Sequence, residues 1–298
     1  MKKIFSFCNQ KGGVGKTTSA INLATLVAKA GYKTLLIDMD SQGNATSGLG
    51  IEKTELSFTS YQLLVDNQEI APGILKTGIK KLDIIPANTD LSGADLELVA
   101  ANRREYVLSE RIKAIAPQYD FIFIDCPPSL GLVTINCLTA SDYLLIPLQC
   151  EYYALEGLGQ LLHTFQLVKD NLNEGLEVGG VILTMADFRT NLTQQVIEEV
   201  KAFFKEKVFE AIIPRSVKLS EAPSFGKPAV LYDPQNKASK SYVAMGREFV
   251  KRFSEKEKQK SANPDEEKAA EQAAAEPKNP PIDSSEKKEE SDYEKSPR

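Results

Sequence analysis

Short apolar runs alternate with stretches of helical periodicity along the first 253 residues of the chain. The apolar runs cover residues 4–8, 34–39, 82–86, 121–125, 143–147, 180–184 and 208–213. Amphipathic stretches lie between most of them, with the clearest at 17–30, 154–170 and 192–205. Continuous apolar runs of this length are typical of strands buried on both faces, and alternation with helices favours parallel pairing. The pattern predicts an α/β fold, a mostly parallel twisted sheet flanked by helices on both faces.

The composition of the chain changes after Phe253. Residues 254–298 hold nine Lys and Arg against thirteen Asp and Glu, and their apolar side chains are six alanines, Ile282 and Tyr293. A segment so poor in apolar side chains does not bury enough surface to offset the entropy of ordering it. We therefore expect a folded domain over 1–253 and a disordered, charged, low-complexity tail over 254–298.

The charge of the chain is distributed unevenly. A formal net charge of −5 argues, taken alone, against a nucleic-acid partner. However, the tail carries −4 of it, and residues 1–185 carry −5. Residues 186–253 carry +4, from twelve Lys and Arg against eight Asp and Glu. The C-terminal part of the folded domain is therefore basic enough to offer a DNA-binding surface.

The sequence does not indicate a membrane-spanning protein or a disulfide-rich protein. No run of eighteen apolar residues occurs, which argues against a transmembrane helix, and the N-terminus lacks the apolar segment of a signal peptide. The cysteines, Cys8, Cys126, Cys137 and Cys150, form no C-x-x-C pair, so a disulfide scaffold or zinc ribbon is not expected. We expect a cytoplasmic protein.

A glycine-rich loop, NQKGGVGKTT at 9–18, follows the first apolar run and leads into the first helical stretch. Its glycines let backbone amides face phosphate oxygens, and the N-terminus of the following helix adds its dipole. Lys16 can reach the β- and γ-phosphates, and the Thr17 hydroxyl can ligate Mg²⁺. The loop differs from G-x-x-x-x-G-K-[ST] at Gln10, and it carries a second lysine, Lys11.

The segment KGGVGKTT resembles the deviant Walker A motif of the ParA/MinD ATPases, within the SIMIBI group of P-loop proteins. The resemblance covers roughly residues 2–253 and implies that the chain binds ATP and Mg²⁺. It also implies that Lys11 reaches across a nucleotide-sandwich dimer to the partner's ATP, and that Gly12 allows the two subunits to approach. Such a lysine would neutralise charge that develops on the γ-phosphate. The implied nucleotide contacts are Lys11, Gly12, Gly13, Val14, Gly15, Lys16, Thr17 and Thr18.

Acidic residues at the ends of two apolar runs fit the same family. The run that ends at Asp40 resembles the family's second motif, whose later aspartate orients or activates the attacking water. We therefore assign that catalytic role to Asp40, with Asp38 as a support for the loop. The family usually has proline where this chain has Ser41. The run 121–125 resembles Walker B, so Asp125 is expected to hold the Mg²⁺ shell through water.

Two further features of the nucleotide site follow from the resemblance. The sequence CPPS at 126–129 resembles the switch loop that responds to the γ-phosphate. The adenine base is expected near Met185 and Pro214, which follow two late apolar runs.

The basic C-terminal part contains two segments, 187–192 and 214–224, that closely match the chromosomal ParA/Soj subgroup. In that subgroup, basic residues at the positions of Arg189 and Lys218 help bind DNA non-specifically, although arginine is frequent at the second position. The last helical stretch, from Ser239 onward, has an apolar stripe opposite a basic one. The DNA-binding candidates are Arg189, Arg215, Lys218, Lys240, Arg247 and Lys251.

The resemblance implies a chromosome- or plasmid-partition ATPase whose ATP-dependent homodimer binds double-stranded DNA non-specifically and is associated with the nucleoid. A ParB-like centromere-binding partner would stimulate hydrolysis and so release it. The alternative is a MinD-like membrane-associated ATPase that positions a protein assembly, although a net-negative tail would be repelled by anionic lipid. A carrier or metal-transport ATPase is a third interpretation. The sequence leaves open the chromosomal or plasmid origin, the partner's identity and the role of the tail.

Overall fold

The structure is a computed structural model that describes residues 3–66, 68–151 and 154–254. Within these residues a single sheet contains strands β1 (Lys3–Phe7), β2 (Thr34–Asp38), β3 (Leu75–Lys76), β4 (Leu82–Ile85), β5 (Phe121–Asp125), β6 (Tyr143–Gln149) and β7 (Glu177–Thr184). Their order is β3-β4-β2-β5-β1-β6-β7. All neighbours pair in parallel except β3, which runs antiparallel to β4 at one edge. The predicted mostly parallel sheet is confirmed.

The α-helices of the described residues connect the strands. They are α1 (Lys16–Lys29), α2 (Asn44–Gly48), α3 (Ser60–Val65), α4 (Ala94–Leu98), α5 (Val107–Ile112), α6 (Leu132–Thr139), α7 (Ala154–Asn171), α8 (Asn191–Phe204), α9 (Val217–Glu221), α10 (Ala229–Tyr232) and α11 (Lys237–Phe253). Those expected at 17–30, 154–170 and 192–205 are confirmed to within one residue at either end as α1, α7 and α8. No described helix has both the length and the apolar character needed to cross a membrane.

Both faces of the sheet are buried. Successive residues of β5 alternate between two cores, with Ile122 and Ile124 in one and Phe121 and Phe123 in the other. The first core includes side chains of α3 to α8, and the second includes side chains of α1 and α11. Strands covered on both sides have apolar side chains at successive positions, which explains the continuous apolar runs.

The last helix, α11, packs its apolar stripe against the aromatic second core. Tyr242, Met245 and Phe249 are buried, and Phe253 is half-buried. The ring of Phe249 makes an edge contact with Phe5 at a centroid distance of 4.9 Å. The predicted amphipathic character of this helix is confirmed, and its apolar side faces the protein interior.

One predicted strand is wrong. Residues 208–213 do not form a strand, although Val208 makes an isolated parallel bridge with Val181. The backbone leaves the edge of the sheet at Glu210, whose amide donates to the carboxylate of Glu248 at 3.0 Å. It returns at Ile213, whose amide donates to the Leu183 carbonyl. A side chain from α11 therefore satisfies an amide that an edge strand would have used.

The two-part division of the chain stays a prediction. Helix α11 ends at Phe253, where we expected the folded domain to end. The tail predicted over 254–298 lies outside the described residues, apart from Ser254.

Candidate functional site

The glycine-rich loop joins the carboxyl end of β1 to α1. Gly13 and Gly15 have φ angles of 75° and 86°, in the left-handed region that glycine enters without strain. The Asn9 side chain supports the loop, since its amide donates to the Pro147 carbonyl at 2.7 Å and its oxygen accepts from the Lys11 amide at 3.0 Å. A loop curled in this way presents successive amides to an anion.

Lys16 begins α1 and is buried, with 7% of its surface exposed. Its ammonium group donates to the Lys11 carbonyl at 3.4 Å, so the side chain folds back over the loop. Val14 is buried in the same loop, and its carbonyl accepts from the Thr184 hydroxyl at 2.8 Å. The hydrogen bond from Thr184 thereby ties the loop to the end of β7. In a nucleotide complex, phosphate oxygens would replace the Lys11 carbonyl as the partner of the Lys16 ammonium group.

Asp125, at the end of β5, is a buried carboxylate without a hydrogen bond. Neither of its oxygens has a partner of acceptable geometry within the described part of the chain. Burial and the nearby Asp38 raise its pKa well above the usual range, whereas the adjacent Thr17 hydroxyl and Lys16 ammonium lower the pKa. Orphaned carboxylate oxygens beside a phosphate-binding loop fit a hydrated Mg²⁺ ion, with the Thr17 hydroxyl as a second ligand.

Asp38 and Asp40 have different surroundings at the end of β2. One oxygen of Asp38 accepts from the Thr46 amide and hydroxyl, at 2.8 and 2.7 Å, and the other accepts from the Asp40 amide at 3.2 Å. Asp38 thus anchors the backbone of the loop, as expected. Asp40 is 8% exposed, and one of its oxygens accepts from the Gln42 amide at 3.0 Å.

The orphaned carboxylate predicts a pH effect in the protein without nucleotide or metal. Because the folded-state pKa of Asp125 is raised, its contribution to stability is full below the unfolded-state value and is lost as pH rises through the folded-state pKa. Asp125→Asn removes the titrating carboxyl group, and so it removes this loss of stability at higher pH. The variant should gain stability relative to the natural protein as pH rises, by at most about 1.4 kcal/mol per pH unit.

Chemical denaturation at pH 5 and pH 8, without nucleotide or metal, measures that difference. If Asp125→Asn and the natural protein differ by the same free energy of unfolding at pH 5 and at pH 8, the pKa of Asp125 is not raised. As a control, Asp120→Asn changes a partly exposed carboxylate that accepts from the Lys33 amide at 2.8 Å. The Asp125 variant, unlike this control, should also lose Mg²⁺-dependent ATP binding.

A cavity of about 450 Å³ opens beside the loop and extends toward the end of β7. The residues proposed for adenine line it, together with the end of the loop. These lining residues include Gly15, Thr17, Thr18, Thr184, Met185, Ile213 and Pro214. Met185 has a φ of 52°, which is uncommon for a bulky side chain and marks a backbone constrained at the cavity wall. The place of the adenine base in this cavity stays a prediction.

Lys11 extends away from its own loop, along the carboxyl edge of the sheet. Its ammonium group lies 3.6 Å from a carboxylate oxygen of Glu151, which follows β6. The other oxygen of Glu151 accepts from the Arg215 guanidinium at 3.0 Å. Sequence reasoning missed Glu151, because no motif surrounds it and its partners are distant in sequence. Gly12 is exposed, with no atom within 4 Å of where a Cβ would lie.

Four of the six DNA-binding candidates lie near one another at the carboxyl edge of β7. The isolated bridge between Ala186 and Pro214 aligns the segment of Arg189 with that of Arg215. Lys218 follows in α9, and a hydrogen bond from Ser216 to Asn236 brings the start of α11, with the exposed Lys240, to the same place.

Arg247 and Lys251 do not join that group. They are exposed on α11, about 10 and 16 Å along the helix from Lys240. Helix α11 ends where the Phe253 carbonyl accepts from the Lys3 ammonium, at the amino edge of the sheet. Helix α11 therefore carries these two residues away from the other four candidates, and the role of all six in DNA binding stays a prediction.

Three of the DNA-binding candidates form ion pairs with acidic residues, and the pair of Arg215 with Glu151 is one of them. Arg189 pairs with Asp187 at 2.6 Å, and Lys218 pairs with Glu221 at 2.8 Å. The Arg189 guanidinium lowers the pKa of Asp187 to about 2. Because these pairs are exposed, each contributes little to stability and a phosphate can replace the acid at small cost. Lys240, Arg247 and Lys251 make no ion pair with another described residue.

A strand that leads into a glycine loop, a buried lysine at the start of the next helix and an orphaned aspartate on the adjacent strand define a P-loop nucleotide hydrolase. Comparisons with known proteins support this class. A model of the AAA domain family matches residues 2–178. The structure is similar to that of cobyrinic acid a,c-diamide synthase from Mycobacterium smegmatis with bound ADP and magnesium. The TM-score is 0.75 and the identity 30%, over 86% of this chain and 96% of the other.

Two relatives show to which family of P-loop nucleotide hydrolases the chain belongs. Chromosome partitioning protein ParA of Myxococcus xanthus is 54% identical over 84% of this chain and 88% of its own length. Sporulation initiation inhibitor protein Soj of Bacillus subtilis is 54% identical over 84% of this chain and 99% of its own length. The chain belongs to the ParA/Soj family of partition ATPases. It is an ATPase that uses ATP and Mg²⁺.

Proposed function

We propose that this protein partitions DNA by an ATP-operated cycle of dimerisation. Two subunits join face to face across ATP, and the dimer binds duplex DNA without sequence preference. Hydrolysis, stimulated by a ParB-like partner, separates the subunits and releases the DNA. In this account the protein is cytoplasmic and associated with the nucleoid.

The nucleotide-handling roles follow the surroundings of each side chain. Lys16 binds the β- and γ-phosphates, exchanging its contact with the Lys11 carbonyl for phosphate oxygens. Thr17 and Asp125 hold the Mg²⁺ shell, and the bound ion neutralises phosphate charge. Asp40 keeps one oxygen on the Gln42 amide and uses the other to orient the attacking water.

The single observation that carries the proposal is the position of Glu151 between Lys11 and Arg215. The lysine that would reach the partner's ATP and an arginine of the basic surface share this one carboxylate. When Lys11 moves to a phosphate across the dimer, Glu151 loses one of its two cations. The contacts of Arg215 therefore depend on whether the ATP-bound dimer has formed, which couples the nucleotide to the DNA-binding surface.

The proposed DNA-binding surface consists of Arg189, Arg215, Lys218 and Lys240. Long cationic side chains without a fixed geometry fit phosphate contacts rather than base recognition. Lysine in place of arginine at 218 keeps the charge that such contacts need. A dimer doubles the number of these contacts, and log affinity changes with log salt by roughly −0.9 for each phosphate neutralised.

The arrangement of α11 argues against the membrane alternative. A helix that lies on a membrane needs an exposed apolar side. The apolar stripe of α11 is instead occupied by the second core, where Tyr242, Met245 and Phe249 are buried. Within the described residues this helix offers lipid only its basic side.

Arg189→Ala/Lys218→Ala should lose ATP-dependent DNA binding while it keeps ATP-dependent dimerisation. Both side chains are exposed or partly exposed, so their removal leaves the core intact. We expect the salt slope to become shallower by roughly 0.9 per lost contact, measured by retention on random-sequence DNA.

The matched control is Asp187→Ala/Glu221→Ala, which removes the acidic partners of the same two cations. This variant should bind DNA more tightly than the natural protein. Unchanged DNA binding in the first variant would exclude this surface, and loss of dimerisation together with DNA binding would mean that the variant is misfolded.

A further inference from the structure

A second cavity, of about 620 Å³, lies at the amino edge of the sheet beside the β3–β4 hairpin. Its lining includes four lysines: Lys33, Lys76, Lys80 and Lys81. Lys33 precedes β2, and Lys80 and Lys81 precede β4. These residues belong to the part of the chain with a net charge of −5, so the charge distribution along the sequence gave no sign of them. We call this group the lysine cavity.

Three of the four lysines in the lysine cavity make no ion pair with a described residue, although the Asp120 carboxylate accepts from the backbone amide of Lys33 at 2.8 Å. Asp83 is the one acid in its lining, and it is 8% exposed. One oxygen of Asp83 accepts from the Lys76 ammonium at 2.7 Å and from the Tyr119 hydroxyl at 2.9 Å. Asp83 therefore neutralises Lys76. Within the described residues the other three lysines make no ion pair, so three positive charges surround one cavity.

Three of the four lysines, Lys76, Lys80 and Lys81, lie on the β3–β4 hairpin, which is held by hydrogen bonds. The Thr77 hydroxyl donates to the Leu82 carbonyl at 2.7 Å and accepts from the Ile79 amide at 3.1 Å. Lys81 has a φ of 70°, in the left-handed region that is uncommon for a long side chain. Its ammonium group donates to the Gly31 carbonyl at the end of α1. Backbone strain of this kind persists where the surroundings fix it, and it clusters at binding sites.

The lysine cavity and the carboxyl-edge basic surface lie at diagonally opposite corners of the domain. The cavity borders β3 and β4, whereas Arg189 follows β7 at the other end of the strand order. Six strand spacings of about 4.8 Å separate these ends by roughly 29 Å. The two sites also lie on opposite edges, about 17 Å apart along a five-residue strand. A straight duplex on one surface therefore does not reach the other.

We propose that the lysine cavity binds the phosphate backbone of a second DNA duplex, so that one protein assembly holds two duplexes together. This inference rests on the proposed function, because it adds a second duplex to a protein that binds a first. The ammonium group of lysine binds phosphate oxygens as a point charge, and three lysines without an ion pair suit a polyanion.

The lining of the cavity favours DNA over a lipid surface. Adsorption to a membrane needs apolar side chains that enter the acyl boundary. Ile74 and Ile79 in the lining are half-buried, and none of the large exposed apolar side chains of the described residues lies there. Phosphate contacts need only the charges.

Capture of a second duplex tests the inference. The full-length protein is loaded with ATP and Mg²⁺ on bead-bound random-sequence duplex, washed, and offered a labelled duplex. Lys33→Glu/Lys80→Glu should lower capture of the labelled duplex roughly tenfold or more. It should leave binding of the first duplex within about twofold, because charges roughly 30 Å apart are screened. The matched control Lys113→Glu/Lys201→Glu reverses two exposed lysines outside the cavity and should capture normally.

Acetylation footprinting gives a second readout. Duplex DNA should protect Lys80 and Lys81 from an acylating reagent, whereas vesicles of phosphatidylglycerol should not. The inference is overturned if the cavity variant captures the second duplex normally, if the natural protein binds one duplex but captures no second, or if only the vesicles protect the lysines. The proposed function fails separately, if Arg189→Ala/Lys218→Ala binds the first duplex as the natural protein does.

Discussion

Asp40→Ala should reduce ATP turnover by roughly 100-fold or more and trap the protein as an ATP-bound dimer on DNA. The carboxylate lies at the end of β2 with one oxygen on the Gln42 amide, and its loss removes the group that orients the attacking water. Lys16 and the loop amides stay in place, so ATP binding and dimerisation should persist. Phosphate release and DNA retention in ATP measure the two effects.

The control for this variant is Gln42→Ala, which keeps the amide that Asp40 binds and removes only an exposed side chain. It should turn ATP over at the natural rate. Asp40→Ala also loses one hydrogen bond, which costs about 1 kcal/mol of stability, so its melting temperature should fall only slightly. Intact turnover in Asp40→Ala would exclude the catalytic role assigned to this residue.

Lys11→Ala should abolish ATP-dependent dimerisation and lower turnover by roughly 100-fold. The ammonium group lies at the carboxyl edge, 3.6 Å from Glu151, and is 40% exposed, so it is free to reach a neighbouring subunit. ATP binding to the monomer should be retained because the glycine conformations and Lys16 are unchanged. Light scattering with and without ATP measures the assembly, and fluorescent-nucleotide titration measures binding.

Glu151→Gln is the matched control, because it releases Lys11 without removing it. This variant should dimerise at least as readily as the natural protein. If Lys11→Ala still dimerises in ATP, the lysine does not act across the interface. If Lys11→Ala fails to bind ATP at all, its role lies within its own loop.

The fold could be predicted where local pattern and tertiary environment agree. Strands β1, β2, β4, β5 and β6 lie in continuous apolar runs because both faces of each are covered. The run at 208–213 has the same pattern, but the Glu248 carboxylate satisfies the Glu210 amide, so no strand forms there. The two-residue strand β3 was missed because its pairing with β4 depends on a hairpin rather than on apolar periodicity.

The site could be predicted where a motif is contiguous in sequence. The loop residues and Asp125 were found because each adjoins an apolar run, and the structure places them together. Glu151 was missed because its importance comes from contacts with Lys11 and Arg215, which lie far away in sequence. The positions of the basic residues on α11 also depend on the fold, since the start of this helix lies at the carboxyl edge of the sheet and its end lies at the amino edge.

The lysine cavity could not be predicted from the distribution of charge along the sequence. Its four lysines come from two separate segments of an acidic region, and only the β3–β4 hairpin and the start of β2 bring them together. A charge distribution computed along the chain averages them with distant acids. Local electrostatics therefore depends on the fold, and net charge gives little information on binding surfaces.

We propose above all that ATP creates a DNA-binding dimer and not a membrane-binding one. The direct measurement compares retention of the full-length protein on random-sequence DNA with its sedimentation on anionic liposomes, each with and without ATP. We expect ATP-dependent retention on DNA that falls steeply with salt, and no sedimentation with liposomes. ATP-dependent sedimentation with liposomes, without retention on DNA, would contradict it.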